Sequence, residues 1–216
     1  MPADPYTAER ERMVREQMET RMITNKRVLE AMRLIPRHMF VPPELRTAAY
    51  RDHPLPIGEG QTISQPYIVA LMTQLLDPQE NDKILEIGAG SGYQAAILGK
   101  LAQRVVTIER IPPVAERARA NLAAVNITNV EVIEGDGTQG YPPESPYNGI
   151  LITASTPSVP QPLIDQLAEG GRLVAPVGGR DMQELQLLTR RGKNIEVTYH
   201  GGVVFVPLIG EYGWER

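Results

Sequence analysis

The chain has 216 residues, of which 42% are hydrophobic and 22% are charged, and its formal net charge is -4 at pH 7. This length suits one unit with a buried core, and the absence of cysteine excludes a disulfide framework, a cysteine-based zinc site and a thiol nucleophile. The charge balance lacks a basic cluster and predicts no nucleic-acid partner. Without a long apolar run or an apolar leader, a cytoplasmic protein with no membrane contact is expected. Three widely spaced histidines predict no metal site.

The first part of the chain, residues 1–80, has a mostly helical pattern. Apolar side chains recur near the helical period over residues 13–22 and again over 28–32, which predicts two helices that cover a core. Prolines over residues 36–56 break the chain into turns. A third helix is predicted over residues 67–76. We therefore expect residues 1–80 to form a helical extension to the rest of the chain.

The second part, residues 81–216, alternates between strand and helix patterns. Such alternation predicts a parallel, doubly wound sheet, and two further strands joined at residues 191–194 predict a closing hairpin. The predicted fold class is α/β, a Rossmann-like, mostly parallel sheet with a C-terminal antiparallel hairpin, forming one structural unit with the helical extension. The predicted strands cover residues 83–87, 104–108, 129–134, 149–153, 172–177, 184–189 and 195–199, and the predicted helices cover 93–101, 112–125 and 162–168.

A glycine-rich loop follows the first strand of this core and precedes a helix. Its glycines, Gly88, Gly90 and Gly92, allow the backbone to approach a ligand closely. The spacing of dinucleotide-binding loops fails because position 93 is tyrosine, and no phosphate-binding loop of the G-x-x-x-x-G-K type occurs. A ligand without a pyrophosphate is therefore expected, and S-adenosylmethionine fits.

Two carboxylates follow the next two strands. Glu109 ends the second strand of the core, where an acid can accept the ribose hydroxyls of a nucleoside. Asp136 follows the third strand, where its carboxylate or a neighbouring amide can recognise adenine. Each acid alone is better interpreted as a solvated strand end or a turn former. Together with the glycine loop, at the carboxyl edge of one sheet, they favour a cofactor site.

Ser64 is ambiguous from spacing alone. It lies just before Pro66 and a predicted helix, so an N-cap is the first interpretation. No G-x-S-x-G motif surrounds it, which argues against a hydrolase nucleophile.

Several short segments resemble the protein-L-isoaspartate O-methyltransferase family. The resemblance is collinear from about residue 10 to residue 212, and the Thr-Ile-Ser-Gln-Pro segment at 62–66 is its most family-specific part. The similar segments are residues 36–42, 54–58, 61–66, 88–94, 135–137, 176–178 and 205–208.

This resemblance implies methyl transfer from S-adenosylmethionine to the free α-carboxylate of L-isoaspartyl residues in damaged proteins, with S-adenosylhomocysteine as the second product. It implies that Ser64 is the active-site residue, that residues 206–210 lie near the cofactor and substrate, and that isoaspartyl peptides and proteins are the partners. A monomer is expected. The implied cofactor contacts are Gln61, Thr62, Ile63, Ser64, the glycine loop, Glu109, Asp136 and Gly137.

Two other functions stay open at this point. One is a methyltransferase for a small molecule or RNA, since one fold hosts many chemistries. The other is a cofactor-binding regulator without catalysis, against which the intact Ser64 and glycine loop argue. The sequence also departs from the family pattern at Asn148 and Ser155, neither of which is assigned to chemistry. Asn148-Gly149 is prone to deamidation, so isoaspartate is expected there only where the local structure permits it.

Overall fold

The central feature is a seven-stranded sheet in a computed structural model that describes residues 4–215. The helices are α1 (Thr7–Met13), α2 (Lys26–Leu34), α3 (Pro66–Leu76), α4 (Tyr93–Leu101), α5 (Pro112–Ala124) and α6 (Gln161–Asp165). The strands are β1 (Leu55–Gly58), β2 (Gln61–Ile63), β3 (Lys83–Ile87), β4 (Arg104–Glu109), β5 (Val130–Glu134), β6 (Tyr147–Ile152), β7 (Leu167–Gly178), β8 (Gln183–Arg191) and β9 (Asn194–Val203). Among the described residues, no helix is both long and apolar enough to cross a bilayer.

The strand order in the large sheet is β5-β4-β3-β6-β7-β8-β9. The first five strands pair in parallel and the last two in antiparallel, which confirms the predicted Rossmann-like sheet and its closing hairpin. The central strands β3 and β6 are almost wholly buried because helices cover both faces, as their continuous apolar runs indicate. The carboxyl ends of β3, β4, β5 and β6 therefore meet at one edge, where the glycine loop begins.

The N-terminal helix differs from its predicted form. After α1 the chain continues as a π-helical turn over Val14–Met18 and a 3-10 turn over Glu19–Arg21. Met22 then adopts a φ of 68° and ends the helical path. Its side chain is 80% exposed, so the expectation that Met22 covers the core is wrong. The other apolar residues of the stripe, Met13 and Val14 among them, are buried as predicted.

The boundary between the helix predicted over 162–168 and the strand predicted over 172–177 lies earlier in the structure than in the prediction. Helix α6 ends at Asp165, and strand β7 already begins at Leu167. Gly170 and Gly171 lie within β7, where the register with β6 shifts, instead of ending a helix. A Cβ on Gly171 would lie 2.8 Å from the Ala168 carbonyl oxygen, so the irregular strand needs glycine there.

A small hairpin was not expected from the sequence. Strands β1 and β2 pair in antiparallel in a stretch that the proline pattern assigns to turns. Its turn, residues 58–60, has positive φ at all three positions, including Glu59 at 54°. Two prolines and two glycines in so short a stretch hide the alternation that normally indicates a strand.

The helical extension packs onto the sheet-bearing part. One hydrophobic cluster contains Met32 and Phe40 from the extension together with Tyr93 from α4 and Ala118 from α5. The ring centroids of Phe40 and Tyr93 lie 5.4 Å apart in an edge-on arrangement. This shared cluster supports one structural unit, while the boundary at residue 80 stays a prediction.

Asn148 is held in a conformation that opposes deamidation. It lies on β6, and its side-chain Oδ1 accepts a hydrogen bond of 2.9 Å from the Lys83 backbone nitrogen. Its neighbour Gly149 lies in register with both β3 and β7. We expect aged folded protein to retain Asn148 while a synthetic peptide of residues 145–152 forms isoaspartate, because cyclisation needs a mobile Gly149 nitrogen. Peptide mapping by mass spectrometry checks this, and equal conversion in both samples would contradict it.

Candidate active site

The β1–β2 hairpin lies over the glycine loop. A Cβ built on Gly90 would lie 3.8 Å from the Ile57 side chain and 3.9 Å from the Thr62 carbonyl oxygen, which shows how closely the two segments approach. Arg117 of α5 donates a hydrogen bond to the Ile57 carbonyl oxygen and fastens the hairpin from the other side. The hairpin thereby brings residues 61–64 to the carboxyl edge of the large sheet.

Glu109 ties the glycine loop to the end of β4. Its Oε2 accepts a hydrogen bond of 3.0 Å from the Gly90 nitrogen, and its Oε1 accepts one of 3.0 Å from the Ile111 nitrogen. A carboxylate offers about four acceptor positions, so further donors such as ribose hydroxyls can still be accommodated. Gly88, Gly90 and Gly92 have φ values of 96°, 53° and 86°, which few other residues adopt.

Two cavities meet at Ser64. The first, of about 60 Å³, lies between the hairpin and the glycine loop, and we call it the loop cavity. The second, of about 630 Å³, lies beside residues 202–206, and we call it the outer groove. The residues that line both cavities are Thr62, Ser64, Thr153 and Val206. The predicted site residues that line the loop cavity are Gln61, Thr62, Ile63, Ser64, Gly88, Gly90 and Glu109.

Ser64 is not a helix cap. The N-cap of α3 is Gln65, and no side chain caps this helix, so the N-cap interpretation is wrong. The Ser64 carbonyl oxygen accepts a hydrogen bond of 2.8 Å from Arg37. Its half-buried hydroxyl makes no hydrogen bond within residues 4–215 and is therefore available to a ligand at the junction of the two cavities.

The match to known proteins covers almost the whole chain. A model of the family described as protein-L-isoaspartate(D-aspartate) O-methyltransferase matches residues 8–213. The chain belongs to this family. The resemblance of the short segments to the protein-L-isoaspartate O-methyltransferases is therefore confirmed.

Individual relatives agree with this assignment. The protein-L-isoaspartate O-methyltransferase of Methanoculleus marisnigri is 60% identical over 215 residues, which is 100% of this chain and 98% of that protein. A solved protein-L-isoaspartate O-methyltransferase is 28% identical, with a TM-score of 0.84 over 94% of this chain and 67% of that one. A Plasmodium falciparum beta-aspartate methyltransferase, crystallised with S-adenosyl-L-homocysteine, is 24% identical, with a TM-score of 0.80 over 93% and 98% of the two chains. At this identity, the likeness to the last structure shows a shared fold alone.

Asp136 has a different environment from the one expected. Its Oδ1 accepts hydrogen bonds from the Thr138 nitrogen and hydroxyl at 2.9 and 2.7 Å, and its Oδ2 accepts one of 2.8 Å from the Glu211 nitrogen. The carboxylate thus fastens the C-terminal segment and lines neither cavity. Gly137 lines a small adjoining cavity with Glu109 and Leu208. A contact between Asp136 and the cofactor stays a prediction.

Thr153 lines both cavities although the sequence did not indicate it as a site residue, whereas a cofactor contact of Gly92 stays a prediction. Thr153 follows β6, and its hydroxyl lies 2.6 Å from the Gly88 carbonyl oxygen and 2.9 Å from that of Ile87. Its place after the fourth parallel strand was a usable signal, because that strand ends at the same edge. Gly92 lies at the N-cap of α4, packed against α5, and lines neither cavity.

A buried acid lies beneath the loop. Glu86 of β3 is fully buried, and Thr107 lies beside it in register on β4. Neither side chain has a hydrogen-bond partner among residues 4–215. Burial raises the pKa of Glu86 to about 8; the neighbouring Thr107 hydroxyl opposes this rise, and the Glu109 carboxylate adds to it.

This shift predicts how stability changes with pH. Because the folded state keeps the Glu86 proton until about pH 8 and the unfolded chain loses it near its ordinary pKa of 4.5, the free energy of unfolding should fall as pH rises through that window. The expected fall is on the order of a few kcal/mol. Glu86→Gln should flatten it, and the exposed Glu116→Gln should not. Urea unfolding at pH 5 and pH 8.5 measures both, and an unchanged slope in Glu86→Gln would refute the prediction.

Proposed function

We propose that this chain transfers the methyl group of S-adenosylmethionine to the free α-carboxylate of L-isoaspartyl residues in damaged proteins. The observation that carries the proposal is the position of Ser64 at the junction of the loop cavity and the outer groove. A methyl donor in the first and a carboxylate in the second would meet beside its hydroxyl. Family membership supports the same activity.

The residues of the loop cavity suit S-adenosylmethionine. The glycine loop leaves space for backbone approach, and the 6%-exposed Glu109 faces the loop and hairpin at the carboxyl edge. We infer that Gln61, Thr62 and Ile63 hold the cofactor from the hairpin side, with Gly88, Gly90 and Glu109 opposite. When bound, this cofactor supplies an electrophilic methyl group on a positively charged sulfur. Gly137 belongs to the adjoining adenosine side in this proposal.

The acceptor needs no base. An α-carboxyl group has an ordinary pKa near 3.5, so it is ionised at neutral pH. With the cofactor bound, a carboxylate oxygen would form its new bond to the methyl carbon as the bond from that carbon to sulfur breaks, and no proton would have to move. The only carboxylate that lines either cavity among the described residues is Glu109, whose two oxygens already accept backbone hydrogen bonds, and no histidine or lysine lines them.

Ser64 then acts by orientation. Its hydroxyl donates to one oxygen of the carboxylate and leaves the other oxygen free to attack. Alignment of this kind can supply effective concentrations of about 10⁵ to 10⁸ M in well-oriented reactions. A covalent serine intermediate has no support, because no histidine or lysine lines the cavities among the described residues and the Glu109 carboxylate makes no hydrogen bond with the Ser64 hydroxyl.

The outer groove also bears on the rival substrates. No charged side chain lines it among the described residues, whereas RNA affinity depends on cations that contact phosphates. Residues 202–206, which line it, include the end of the edge strand β9, and addition to an exposed strand edge is a recurring way to bind an extended peptide.

One assay separates the candidates. Labelled S-adenosylmethionine is offered with an isoaspartyl peptide and with the same peptide containing ordinary aspartate. We expect base-labile label on the isoaspartyl peptide alone. Label on neither peptide would refute the proposal and favour a small-molecule enzyme or a regulator. The monomeric state and cytoplasmic location remain proposals, which light scattering and cell fractionation test.

A further inference from the structure

Arg37 is a fully buried guanidinium directly behind Ser64. It lies in the 3-10 turn Arg37–Phe40 that follows α2, and its exposed fraction is 0%. Its Nε donates to the Ala49 carbonyl oxygen at 2.7 Å and its Nη2 to the Ser64 carbonyl oxygen at 2.8 Å. Its guanidinium carbon lies 5.0 Å from the centre of the Tyr93 ring.

The charge of Arg37 has no ionic partner. No carboxylate of residues 4–215 forms a salt bridge with it, and its buried Nη1 has no hydrogen-bond partner there. Burial lowers the pKa of Arg37 to about 10, so the group keeps its charge at neutral pH. An unpaired buried cation is costly to a fold, and two carbonyl hydrogen bonds alone could be made by a neutral amide. The two hydrogen bonds therefore do not explain why this residue is charged.

The peptide that Arg37 holds joins Ser64 to Gln65, and both residues line the outer groove. Because a trans peptide is planar, the Gln65 N–H points away from the Ser64 carbonyl and hence away from Arg37. Gln65, the N-cap of α3, and Ile68 in its first turn line the groove, and the Gln65 nitrogen donates to no backbone group among the described residues. The positive end of the eleven-residue α3 lies at the same place. A hydrogen bond from a cation to the carbonyl strengthens the donor at the other end of that peptide.

We propose that Arg37 is a positioning residue that holds the Ser64 peptide by its carbonyl and supplies the positive potential that selects a carboxylate in the neutral outer groove. The acceptor carboxylate then meets the Ser64 hydroxyl, the Gln65 N–H and the start of α3. An indirect cation serves this reaction better than a bidentate ion pair, because a guanidinium bound in that way donates to both carboxylate oxygens, including the one that attacks. The inference rests on the proposed function for the identity of the substrate.

The test compares a charged ligand with a neutral one. Dissociation constants are measured by calorimetry, with S-adenosylhomocysteine present, for an isoaspartyl peptide and for its analogue with an α-carboxamide. In Arg37→Gln we expect the isoaspartyl peptide to bind about tenfold more weakly, because its carboxylate loses the attraction of one positive charge in a partly screened site. The carboxamide peptide and S-adenosylhomocysteine should bind within twofold of their original affinities. Arg12→Gln, an exposed loss of one positive charge, is the matched control and should change nothing.

A second variant, Arg37→Lys, separates the effect of the charge from that of the hydrogen bonds. It also keeps the inference testable where Arg37→Gln folds poorly. Arg37→Lys keeps the charge but loses the planar fork, so it should keep the preference for the carboxylate peptide and lower kcat. Equal weakening of both peptides in Arg37→Gln, or a lost preference in folded Arg37→Lys, would overturn the inference. So would a wild-type protein that binds both peptides equally. Wild-type protein that prefers the carboxylate but transfers no methyl would refute only the proposed function.

Discussion

Ser64→Ala should lower kcat/KM for an isoaspartyl peptide by about 10- to 100-fold. The expected magnitude follows from the loss of one hydrogen bond to a charged group, which contributes roughly 1.5–3 kcal/mol. The hydroxyl makes no hydrogen bond within residues 4–215, so its removal should cost the fold little. The effect should therefore appear in turnover with little change in thermal stability.

The affinity for S-adenosylhomocysteine distinguishes the role of this hydroxyl. If it orients the carboxylate, the dissociation constant of this product should stay within about twofold in Ser64→Ala, because two of the shared lining residues, Thr62 and Thr153, remain. Exposed Ser158→Ala is the matched control and should behave as wild type. Wild-type kcat/KM in Ser64→Ala would exclude the role. Mass spectrometry of the enzyme with S-adenosylmethionine alone should find no methyl group on Ser64.

The sheet and the glycine loop could be predicted because their signals are local. Each parallel strand is a short apolar run, and the loop that includes Gly88 and Gly90 lies between a strand and a helix in sequence as in space. The position of Glu109 beside the glycine loop could be predicted for the same reason, because neighbouring parallel strands bring their carboxyl ends to one edge of the sheet. Residues 83–153 therefore contain most of the information that places the glycine-loop side of the candidate site.

The remaining features depend on contacts between distant parts of the chain. One of the hydrogen-bond partners of Asp136 is the Glu211 nitrogen, 75 residues away. The sequence position of Asp136 indicates a ligand contact, and this distant hydrogen bond to the C-terminal segment could not be expected from it. Arg37 lies 27 residues from Ser64, and a charged residue in a proline-rich stretch is normally expected at the surface. The junction of the two cavities could be expected only through the family resemblance, because it is formed by the hairpin, the end of β6 and residues 202–206 together.

Gly88→Ala should be the most damaging single-atom addition in the loop. Gly88 has a φ of 96°, and a Cβ there would lie 2.5 Å from the Thr153 hydroxyl oxygen. Thr153 would have to move, and its contacts with the Ile87 and Gly88 carbonyl oxygens would be lost where both cavities meet. We expect S-adenosylhomocysteine to bind at least about tenfold more weakly, and the backbone strain alone to cost roughly 1–3 kcal/mol of stability.

Two comparisons separate the clash from the backbone strain. Gly192 also has a positive φ, of 62°, but nothing lies within 4 Å of its added Cβ. Gly192→Ala should therefore lower thermal stability while S-adenosylhomocysteine affinity stays unchanged. The double variant Gly88→Ala/Thr153→Ala removes the clashing oxygen and should recover part of the affinity, because the loop can return to its position while the φ strain remains. If the double variant binds no better than Gly88→Ala, contact with Thr153 is not what fixes the loop, and the strain at residue 88 alone would account for the loss.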